Sequence, residues 1–530
     1  MENQEKSAEK LYLTTKIAFG AGDIASALTA NLLVFFLLPF LTNVAGLTAS
    51  LAGSVLMIGK IADAINDPII GILSDRTSTK WGRRMPWIIL ATIPFGLSFF
   101  LQWIVPNFNQ IFLFIYYVII GIIFNIFYTA VNLPYQALTP ELTIDYNERT
   151  SLNSFRFSFS IGASILSLIL AQIIFQVYQD SDQEKYIILG LISSLISIIS
   201  LLWCPLQLRE RGYQPFLSPK NKTIFGLILL SIATILLIVS VTNLLTNSNS
   251  QTIFNSIISL FFMILLTTMS WTLIKGKTEK HLLTQSLIQG DNEENIPFFE
   301  QLKIALQNKP FLYVIGIYLC SWLAVQLTAS ILLFFVVNWM GMPEASFPQV
   351  AIAVQGTALV MLFVWQLISK KLDKKIVYFL GSIIWIIAEI GLFLVQPGQT
   401  GLLYFLAILA GCGVSVAYLI PWSMIPDVID LDQLNTGKRR EGIFYGFMVL
   451  LQKMGLALGL FLVGIALDLS GFLRTIPGEE IPTQPPSALL AIRLVVSILP
   501  ALVLVIGMVL AYFYPITKEY HQEIRNQLEK

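Results

Sequence analysis

The chain has 530 residues, of which 55% are hydrophobic and only 12% are charged. A soluble domain carries about 25% charged residues, so this composition and a mean hydropathy of +0.73 exclude a soluble globular protein. The formal net charge is +1, and the charges concentrate in connecting segments, which excludes a nucleic-acid-binding face.

Apolar runs of about 20 residues predict fourteen membrane spans. In chain order they are 17–41, 51–74, 87–105, 111–133, 155–178, 186–205, 224–245, 253–274, 311–338, 349–368, 376–396, 402–424, 442–468 and 487–513. Lys and Arg residues follow spans two, four, ten and twelve, whereas the intervening loops 43–50, 106–110 and 397–401 carry none. By the positive-inside rule, we expect both termini on the cytoplasmic side of the plasma membrane. The polar start of the chain lacks the pattern of a cleaved signal peptide, so the first span is expected to direct insertion.

The spans predict an all-α polytopic protein with six spans in each of two lobes. Spans seven and eight contain no charged residue and are interpreted as an inserted hairpin between the lobes. The predicted parts are an N-terminal lobe at 1–210, an interlobe segment with the hairpin at 211–296, a C-terminal lobe at 297–515 and a cytoplasmic tail at 516–530. An amphipathic helix is predicted at 297–310, with an ordinary linker as the alternative; its apolar residues are Phe298, Phe299, Leu302, Ala305 and Leu306.

Two acids lie inside the second span. Asp63 and Asp67 are four residues apart, so one helical face carries both, with Asn66 beside them. A carboxylate at bilayer depth costs roughly 2.5–3.5 kcal/mol on insertion scales and usually faces a bundle interior or a watery cavity. The segment therefore predicts a cation site built from oxygen ligands.

Other polar residues of the first lobe are candidates for the same cavity. Asp23 is expected at about the depth of Asp67, with a role near the inner interface as the alternative. In span four, Thr129, Asn132 and Gln136 follow one another at spacings of three and four, which places them on one helical face. Arg156, near the inner end of span five, fits a snorkelling residue equally well.

The second lobe contributes one cation near mid-membrane. Lys453 lies about twelve residues into span thirteen. A lone ammonium at that depth needs an acid from another helix, and the first lobe offers three. Glu389 in span eleven has no flanking polar residues and is not assigned to the site.

An enzymatic role is not expected. His281 and His521 are the only histidines, and both fall in predicted cytoplasmic segments. Cys204, Cys320 and Cys412 are scattered in apolar runs without metal-ligand spacing, so no disulfide, zinc site or cofactor is expected. The small residues of segment 455–459 fit packing within one chain, which favours a monomer. A channel or scramblase remains an alternative, but it explains the opposed acids and lysine less well.

The motifs of the chain resemble one known family. The runs DAINDPIIGILSD (63–75), WGRRMPW (81–87), NLPY (132–135), PDVID (426–430) and RREGIFYG (439–446) are similar to those of the glycoside–pentoside–hexuronide:cation symporters, typified by the melibiose permease, of the major facilitator superfamily. The resemblance covers about residues 10–210 and 297–515. It implies the two-lobe major facilitator fold and a symporter that moves its substrate together with a coupling cation.

The resemblance also implies roles for particular residues. The sodium ligands of the melibiose permease match Asp63, Asn66, Asp67 and Thr129, and its mid-membrane lysine matches Lys453, which implies a coupling role together with Asp23. Three of its sugar-binding residues fall on Ala27, Asn132 and Gln136, so the galactoside signature is absent. The fold and motif also resemble the sodium-dependent lysophospholipid symporters of animals.

We therefore expect sodium-coupled uptake of a glycoside or related sugar by alternating access, with a lysophospholipid as alternative substrate and a proton as alternative coupling ion. The predicted cavity is polar with aromatic faces and consists of Asp23, Ser26, Thr29, Asn31, Asn132, Gln136, Arg156, Trp322, Gln326, Thr328, Gln355 and Trp422. A cytoplasmic gate is predicted between Asp75, Arg76, Arg83 and Arg84 of the first lobe and Asp427 and Asp430 of the second. Each exposed pair would contribute about 0–1 kcal/mol.

Overall fold

The computed structural model describes residues 11–138, 142, 146–178, 181–210, 213–246, 249–276, 298–369, 371–437, 441–473 and 482–528, with a few side chains inside these ranges left aside. Within them the chain is helical, and its one β feature is an isolated bridge between Thr79 and Gly82. Gly82 has φ +114°, a conformation that an L side chain rarely adopts.

Seventeen α-helices follow one another in the described residues. The first eight are α1 Leu13–Leu32, α2 Ala49–Arg76, α3 Met85–Leu101, α4 Gln110–Gln136, α5 Tyr146–Val177, α6 Asp182–Gln207, α7 Pro219–Thr246 and α8 Ser250–Lys275. The remainder are α9 Phe298–Gln307, α10 Lys309–Phe334, α11 Phe347–Ser369, α12 Lys374–Leu394, α13 Thr400–Thr436, α14 Glu441–Leu469, α15 Pro486–Arg493, α16 Leu499–Phe513 and α17 Lys518–Leu528.

Several predicted spans are longer than one α-helix because wider π turns continue them. These turns are Leu33–Leu37 after α1, Phe40–Val44 before α2, Phe335–Trp339 after α10 and Leu494–Ile498 between α15 and α16. A single helix predicted over 487–513 is thus α15, a π turn and α16. Hydropathy defines the length of an apolar segment but not the hydrogen-bond spacing within it.

Twelve helical segments of the described chain are long and apolar enough to cross a membrane. The two predicted spans outside this set correspond to α2, which carries three charged residues between positions 60 and 67, and to α3, an apolar helix of 17 residues. The predicted all-α, multi-pass architecture is confirmed, whereas the count of fourteen spans stays a prediction.

Packing divides the chain into two compact units. The first unit contains residues 1–32, 65–106 and 119–288, and the second contains 33–64, 107–118 and 289–530. Helix α2 passes from the second unit into the first between Ala64 and Ile65. These units follow spatial contact, so their boundaries differ from the sequence divisions at 210 and 297, which stay a prediction.

In the first unit, α1 packs against α5 and α6, and α3 packs against α6. Close approach of α1 and α4 depends on Gly22, where an added Cβ would meet the ring of Tyr135. The hydroxyl of Tyr135 donates a hydrogen bond to the carbonyl of Phe19. These contacts fix the faces of α1 and α4 that carry Asp23 and Asn132.

The predicted hairpin consists of α7 and α8, which pack against each other. Helix α8 also contacts α1, α5 and α6. Trp203 on α6 donates from Nε1 to Thr272 Oγ1 of α8 over 2.8 Å, which anchors the hairpin with a buried hydrogen bond. Side chains such as Ile228, Ile235 and Ile238 on α7 are exposed apolar surface, as expected for a helix that faces lipid.

The second unit has its core among α10, α13, α14 and α16, with buried side chains such as Phe311, Ile317, Ile425 and Phe444. Helix α9 ends at Gln307, and Asn308 caps α10 by accepting the amide hydrogen of Phe311. In the predicted amphipathic helix, Ala305 is buried but Leu306 is 57% exposed. The side chains of Phe298, Phe299 and Leu302 lie outside the described residues.

Candidate functional site

The ammonium of Lys453 lies 3.0 Å from Asp63 Oδ2 in the second unit. Asp63 is 1% exposed, and Lys453 is 17% exposed. Lys60, one turn before Asp63 on α2, is more distant at 3.8 Å. The acid that the sequence predicted for Lys453 is thus Asp63. Removing one partner of such a buried pair would leave an uncompensated charge in a low-dielectric environment.

This ion pair lies at the end of an antiparallel contact between α14 and the first half of α2. Gly53 and Gly464 bring the helices close together, since a Cβ on Gly464 would lie 3.0 Å from Gly53 Cα. At the far end, Ser50 donates a hydrogen bond to Asp468 Oδ2. Because small residues let the backbones of α2 and α14 approach closely, Lys453 lies within ion-pair distance of Asp63.

The first unit contains the other predicted cation ligands. Thr129 Oγ1 on α4 donates to Asp67 Oδ1 on α2 over 3.1 Å, and Thr129 is buried. The amide nitrogen of Asn66 is buried and has no hydrogen-bond partner among the described residues. The carboxylate of Asp67 and the hydroxyl of Thr129 therefore meet across α2 and α4, and Asn66 precedes Asp67 on α2. A metal cluster of three or more His, Cys, Asp or Glu residues is absent from the described parts of the chain.

Carboxylate, hydroxyl and amide oxygens fit a hard cation such as sodium. The four predicted ligands supply two carboxylates and two neutral groups, and helix geometry places Asp63 and Asp67 on one face of α2. Asp67 has its hydrogen bond from Thr129, whereas Asp63 is neutralised by Lys453. The assignment of these four residues to a sodium site stays a prediction, and Asp63 is the member that is already paired with Lys453.

A polar group of the first unit connects α1 and α4. Asn132 Oδ1 accepts hydrogen bonds from Ser26 Oγ and from Gln136 Nε2, each over 3.2 Å. Asp23 is buried one turn before Ser26 and lies within the electrostatic influence of Arg156. The face predicted on span four is therefore present, with Gln136 at its exposed end.

Two residues predicted for this cavity have hydrogen-bond partners within the first unit. Asn31 donates from Nδ2 to Ser164 O and Ser167 Oγ on α5, at 3.0 and 2.8 Å. Thr29 donates to the carbonyl of Ala25 in its own helix, at 2.7 Å. A polar residue inside an apolar helix can bond a neighbouring helix as well as a substrate, and composition does not distinguish the two.

An aromatic group of the second unit connects α10 and α13. The ring of Tyr318 stacks on Trp322 and meets Trp422 edge-on, both with centroids 6.0 Å apart. Gln326, one turn after Trp322, is buried, and its Oε1 accepts no hydrogen bond from the described residues. Trp322, Gln326 and Trp422 were predicted from sequence, whereas Tyr318 was not, because a Tyr in an apolar run resembles ordinary core.

Thr328, also predicted for the cavity, donates to Glu389 Oε1 on α12 over 3.3 Å. Trp385 Nε1 donates to the same oxygen over 2.6 Å. Glu389 is fully buried. Its carboxyl therefore links α10 with α12 inside the second unit.

The acids of the predicted gate have partners within the second unit. Lys374, at the start of α12, lies 2.6 Å from Asp427 Oδ2. His521 Nε2 on α17 lies 3.1 Å from Asp430 Oδ2 and 3.5 Å from Asp427 Oδ1. Neither Lys374 nor His521 was predicted from the sequence. Lys374 belonged to a basic run that indicated only topology, and His521 lies 91 residues from Asp430.

The loop that carries Arg83 and Arg84 of the predicted gate contacts a third residue that was not predicted from the sequence. Glu210, fully buried after α6, accepts the backbone amides of Arg83, Arg84 and Met85 at 2.7 to 2.8 Å. The side chain of Arg84 donates to Ser74 Oγ, and Arg76 is exposed. The side chain of Asp75 lies outside the described residues. The gate assignment of these residues stays a prediction.

The helical architecture and the ionisable groups buried within it define a multi-pass membrane transporter of the major facilitator type. The nucleoside transporter NupG shares this fold, with a TM-score of 0.55 over 98% of this chain and 100% of that chain, at 12% identity. At that identity the likeness concerns the fold alone.

The chain belongs to the MFS/sugar transport protein family, whose model matches residues 18–227 and 221–518. It is 59% identical to the uncharacterized symporter sll1374 of Synechocystis over 99% of this chain and 98% of the relative. It is also 26% identical to the sodium-dependent lysophosphatidylcholine symporter 1-A of Danio rerio over 100% of this chain and 90% of the relative. The chain is thus a symporter of the major facilitator type. Membership in the narrower glycoside–pentoside–hexuronide group stays a prediction.

Proposed function

We propose that this symporter is driven by sodium and that Lys453 couples the ion to transport. The observation that carries this proposal is the ion pair between Lys453 and Asp63, in which a tethered ammonium lies 3.0 Å from a carboxylate that is 1% exposed. Both groups lie inside helices predicted to span the membrane. A charge pair at this depth is costly, and ionisable residues there usually mark an ion or substrate path.

Sodium and Lys453 compete for Asp63. Sodium bound by Asp63, Asn66, Asp67 and Thr129 replaces the ammonium at Asp63, and Lys453 must then move or find another partner. Because Lys453 belongs to α14, ion binding changes the contact between α2 and α14. A ligand shifts a conformational equilibrium only by its differential affinity for the two states, and this exchange of partners supplies such a difference.

For the transported substrate we propose a glycoside or related sugar. Hydroxyl groups need matched donors and acceptors, since each unmatched buried one costs about 1–3 kcal/mol. Ser26, Asn132 and Gln136 supply them in the first unit. In the second unit, Trp322 and Trp422 supply aromatic faces for a sugar ring.

A lysophospholipid is the second candidate substrate. It is favoured by the relative from Danio rerio, whose name specifies sodium-dependent lysophosphatidylcholine symport and which matches this chain along its whole length. In this case Arg156 is a candidate cation for the phosphate group. It lies near Asp23 and therefore near the polar group of the first unit, and a guanidinium can bind a phosphate with two hydrogen bonds.

The test is uptake by the purified chain in proteoliposomes under an inward sodium gradient. Labelled mono- and disaccharides and labelled lysophosphatidylcholine are compared, with sodium replaced by choline in parallel and with a proton ionophore present or absent. Saturable sugar uptake that requires sodium and resists the ionophore supports the proposal. Uptake that follows the pH gradient and ignores sodium refutes sodium coupling, and lysophosphatidylcholine uptake that no sugar inhibits refutes the glycoside.

Two variants separate the coupling site from general effects of charge. Asp63→Asn and Asp67→Asn are each expected to abolish sodium-stimulated uptake because each removes a ligand charge. Glu184→Gln is the matched control, since it neutralises an exposed acid at the start of α6. If Asp63→Asn and Asp67→Asn retain sodium-stimulated uptake in folded protein, the cation-site assignment is wrong.

A further inference from the structure

Glu389 is a fully buried acid that the proposed transport mechanism does not use. It is 0% exposed and lies on α12, a helix long and apolar enough to cross a membrane. Its Oε1 accepts hydrogen bonds from Trp385 Nε1 on the same helix and from Thr328 Oγ1 on α10, at 2.6 and 3.3 Å. Its Oε2 is buried and has no hydrogen-bond partner among the described residues. One oxygen of the carboxyl is therefore shielded from solvent without a donor from these residues.

Within the described parts of the chain, no cation forms an ion pair with Glu389. Helix α12 packs on α11, α13, α16 and the π turn before α16. At this end of those elements the charged side chain is Arg493, which donates to the carbonyl of Phe393 and lies over the Phe393 ring. The titratable side chains of α13 along this part of α12 are Tyr404 and Cys412, which are ordinarily neutral near pH 7. The carboxyl of Glu389 therefore has only neutral groups as direct partners.

The hydroxyl of Thr328 lies between two acceptors. Its Oγ1 is 3.3 Å from Glu389 Oε1 and 3.4 Å from the carbonyl oxygen of Val496 in the π turn. That carbonyl lacks its usual α-helical partner, because Pro500, four residues later, has no amide hydrogen. A hydroxyl has one hydrogen to donate. If Glu389 is ionised, this single hydrogen has two acceptors to serve.

A neutral carboxyl fits these surroundings better than a charged one. A buried charge without a partner of opposite sign loses its hydration, and such a group neutralises instead of staying charged. A protonated carboxyl is both a donor and an acceptor. With a hydrogen on Oε1, Glu389 donates to Thr328 and Thr328 donates to Val496, so each hydrogen has an acceptor of its own. Trp385 then donates to a remaining lone pair of the same oxygen.

We propose that Glu389 is a proton-binding site of the second unit, in which the bound proton links the carboxyl to Thr328 and, through its hydroxyl, to the carbonyl of Val496. The site joins α10, α12 and the π turn before α16. It keeps its proton while these elements stay packed, because packing excludes the water that would stabilise a charged carboxylate. The site shares no residue with the candidate cation site, and the inference does not rest on the proposed function.

The test is infrared spectroscopy of the full-length protein in a maltoside detergent, whose molecules contain no carbonyl group. Spectra are recorded at about pH 7, well above the ordinary Glu pKa of about 4.3. A protonated carboxyl has a C=O stretching band that is separate from the bands of carboxylates and amides. The spectrum of the wild type minus that of Glu389→Gln is expected to show this band, with the intensity of one carboxyl group per chain.

Two further variants make the assignment specific. Glu184→Gln neutralises an exposed acid and is the matched control, so its difference spectrum should lack the band of a protonated carboxyl. Thr328→Val keeps the shape of the side chain but removes the acceptor of the bound proton. Loss of that hydrogen bond strengthens the C=O bond, so the band should move to higher frequency. This shift is measured against the wild type and does not require Glu389→Gln to fold.

Two results would overturn the proton site. One is a difference spectrum between the wild type and folded Glu389→Gln that lacks a protonated-carboxyl band. The other is a spectrum of Thr328→Val in which no such band has moved. Because these spectra require neither substrate nor sodium, failed sodium-driven uptake would refute the proposed function while leaving this result intact.

Discussion

At the residue scale, the environment of one carboxylate explains why two charges persist in an apolar helix bundle. Asp63 is almost completely buried and has the ammonium of Lys453 at 3.0 Å, whereas Asp67, one turn later, is bonded to a neutral hydroxyl. The two acids of the motif are thus chemically different. One is paired with a cation of the protein, and the other accepts a hydrogen bond from a neutral side chain.

Substitution of Lys453 is expected to separate stability from ion binding. Lys453→Gln removes the ammonium that lies 3.0 Å from Asp63, and breaking a buried pair in this way costs roughly 3–5 kcal/mol. Because the competing ammonium is gone, sodium should stabilise the variant more than the wild type. The measurement is the rise in Tm with sodium concentration in detergent, with choline as control. If Lys453→Gln shows the wild-type sodium response, Lys453 does not compete with the ion.

Gly464 is expected to tolerate no larger side chain. Gly464→Ala places a Cβ 3.0 Å from Gly53 Cα and against the carbonyl of Ala49, so α2 and α14 must separate. Overpacking of this kind costs typically 1–3 kcal/mol. The expected result is a lower Tm together with reduced sodium-driven uptake.

The control for this substitution lies on the same helix. Gly446→Ala adds a Cβ that meets no described atom within 4 Å, and the change from Gly to Ala favours an α-helix. A Tm at or above that of the wild type is therefore expected for Gly446→Ala. Equal effects of the two substitutions would show that helix propensity, not the close approach at Gly464, is responsible.

At the element scale, α3 begins on the carboxylate of a distant residue. Glu210 accepts three backbone amides at the start of α3, where the helix dipole favours negative charge. The same connection between α2 and α3 is held by the bond from Gln214 N to Lys80 O and by the contact of Trp81 with Phe216. The segment after α6 therefore fixes the loop that carries Arg83 and Arg84.

Neutralisation of Glu210 is expected to loosen this loop. Glu210→Gln keeps the size of the side chain but replaces one carboxylate oxygen by an amide that cannot accept hydrogen bonds. Hydrogen bonds to a charged group contribute about 1.5–3 kcal/mol, so exchange of amide hydrogens at residues 77–87 should accelerate. Glu184→Gln is the control, with unchanged exchange there. Wild-type protection of this loop in Glu210→Gln would contradict the capping role.

At the scale of the whole molecule, the hairpin distinguishes this chain from a plain plan of two six-helix lobes. Helices α7 and α8 pack on each other and, through α8, on α1, α5 and α6. They present exposed apolar side chains and carry none of the predicted site residues. Their position fits a structural element at the lipid boundary of the first unit.

Topology is tested at the turn of this hairpin. A cysteine at Asn249, in a background without Cys204, Cys320 and Cys412, should react with a membrane-impermeant maleimide added outside intact cells. Asn249 caps α8 by accepting the amide hydrogen of Thr252, so Asn249→Cys costs about 1 kcal/mol of helix stability. A cysteine at Lys518 should react only after permeabilisation. The reverse pattern would overturn the predicted orientation with both termini cytoplasmic.

Hydropathy, charge and motif by themselves determined the class of the protein. The free energy of transferring an apolar segment into a bilayer depends on that segment alone, so length and composition predicted the spans. Separately, the run at 63–75 indicated the symporter family. The candidate acids Asp63 and Asp67 and the candidate cation Lys453 were also picked out from sequence, since an ionisable residue inside an apolar span is costly wherever the chain folds. Which residue compensates each of these charges could not be predicted from the sequence.

Only the tertiary structure decided which partner each polar residue has. It paired Lys453 with Asp63 across 390 positions, bonded Asn31 to α5, and placed His521 beside Asp430. It also located Glu210 at the start of α3. These pairings depend on which helices approach closely, and close approach is set by packing around residues such as Gly53 and Gly464. Hydropathy fixes where each helix lies along the chain, but the neighbours of a helix follow from the shapes of side chains far apart in sequence.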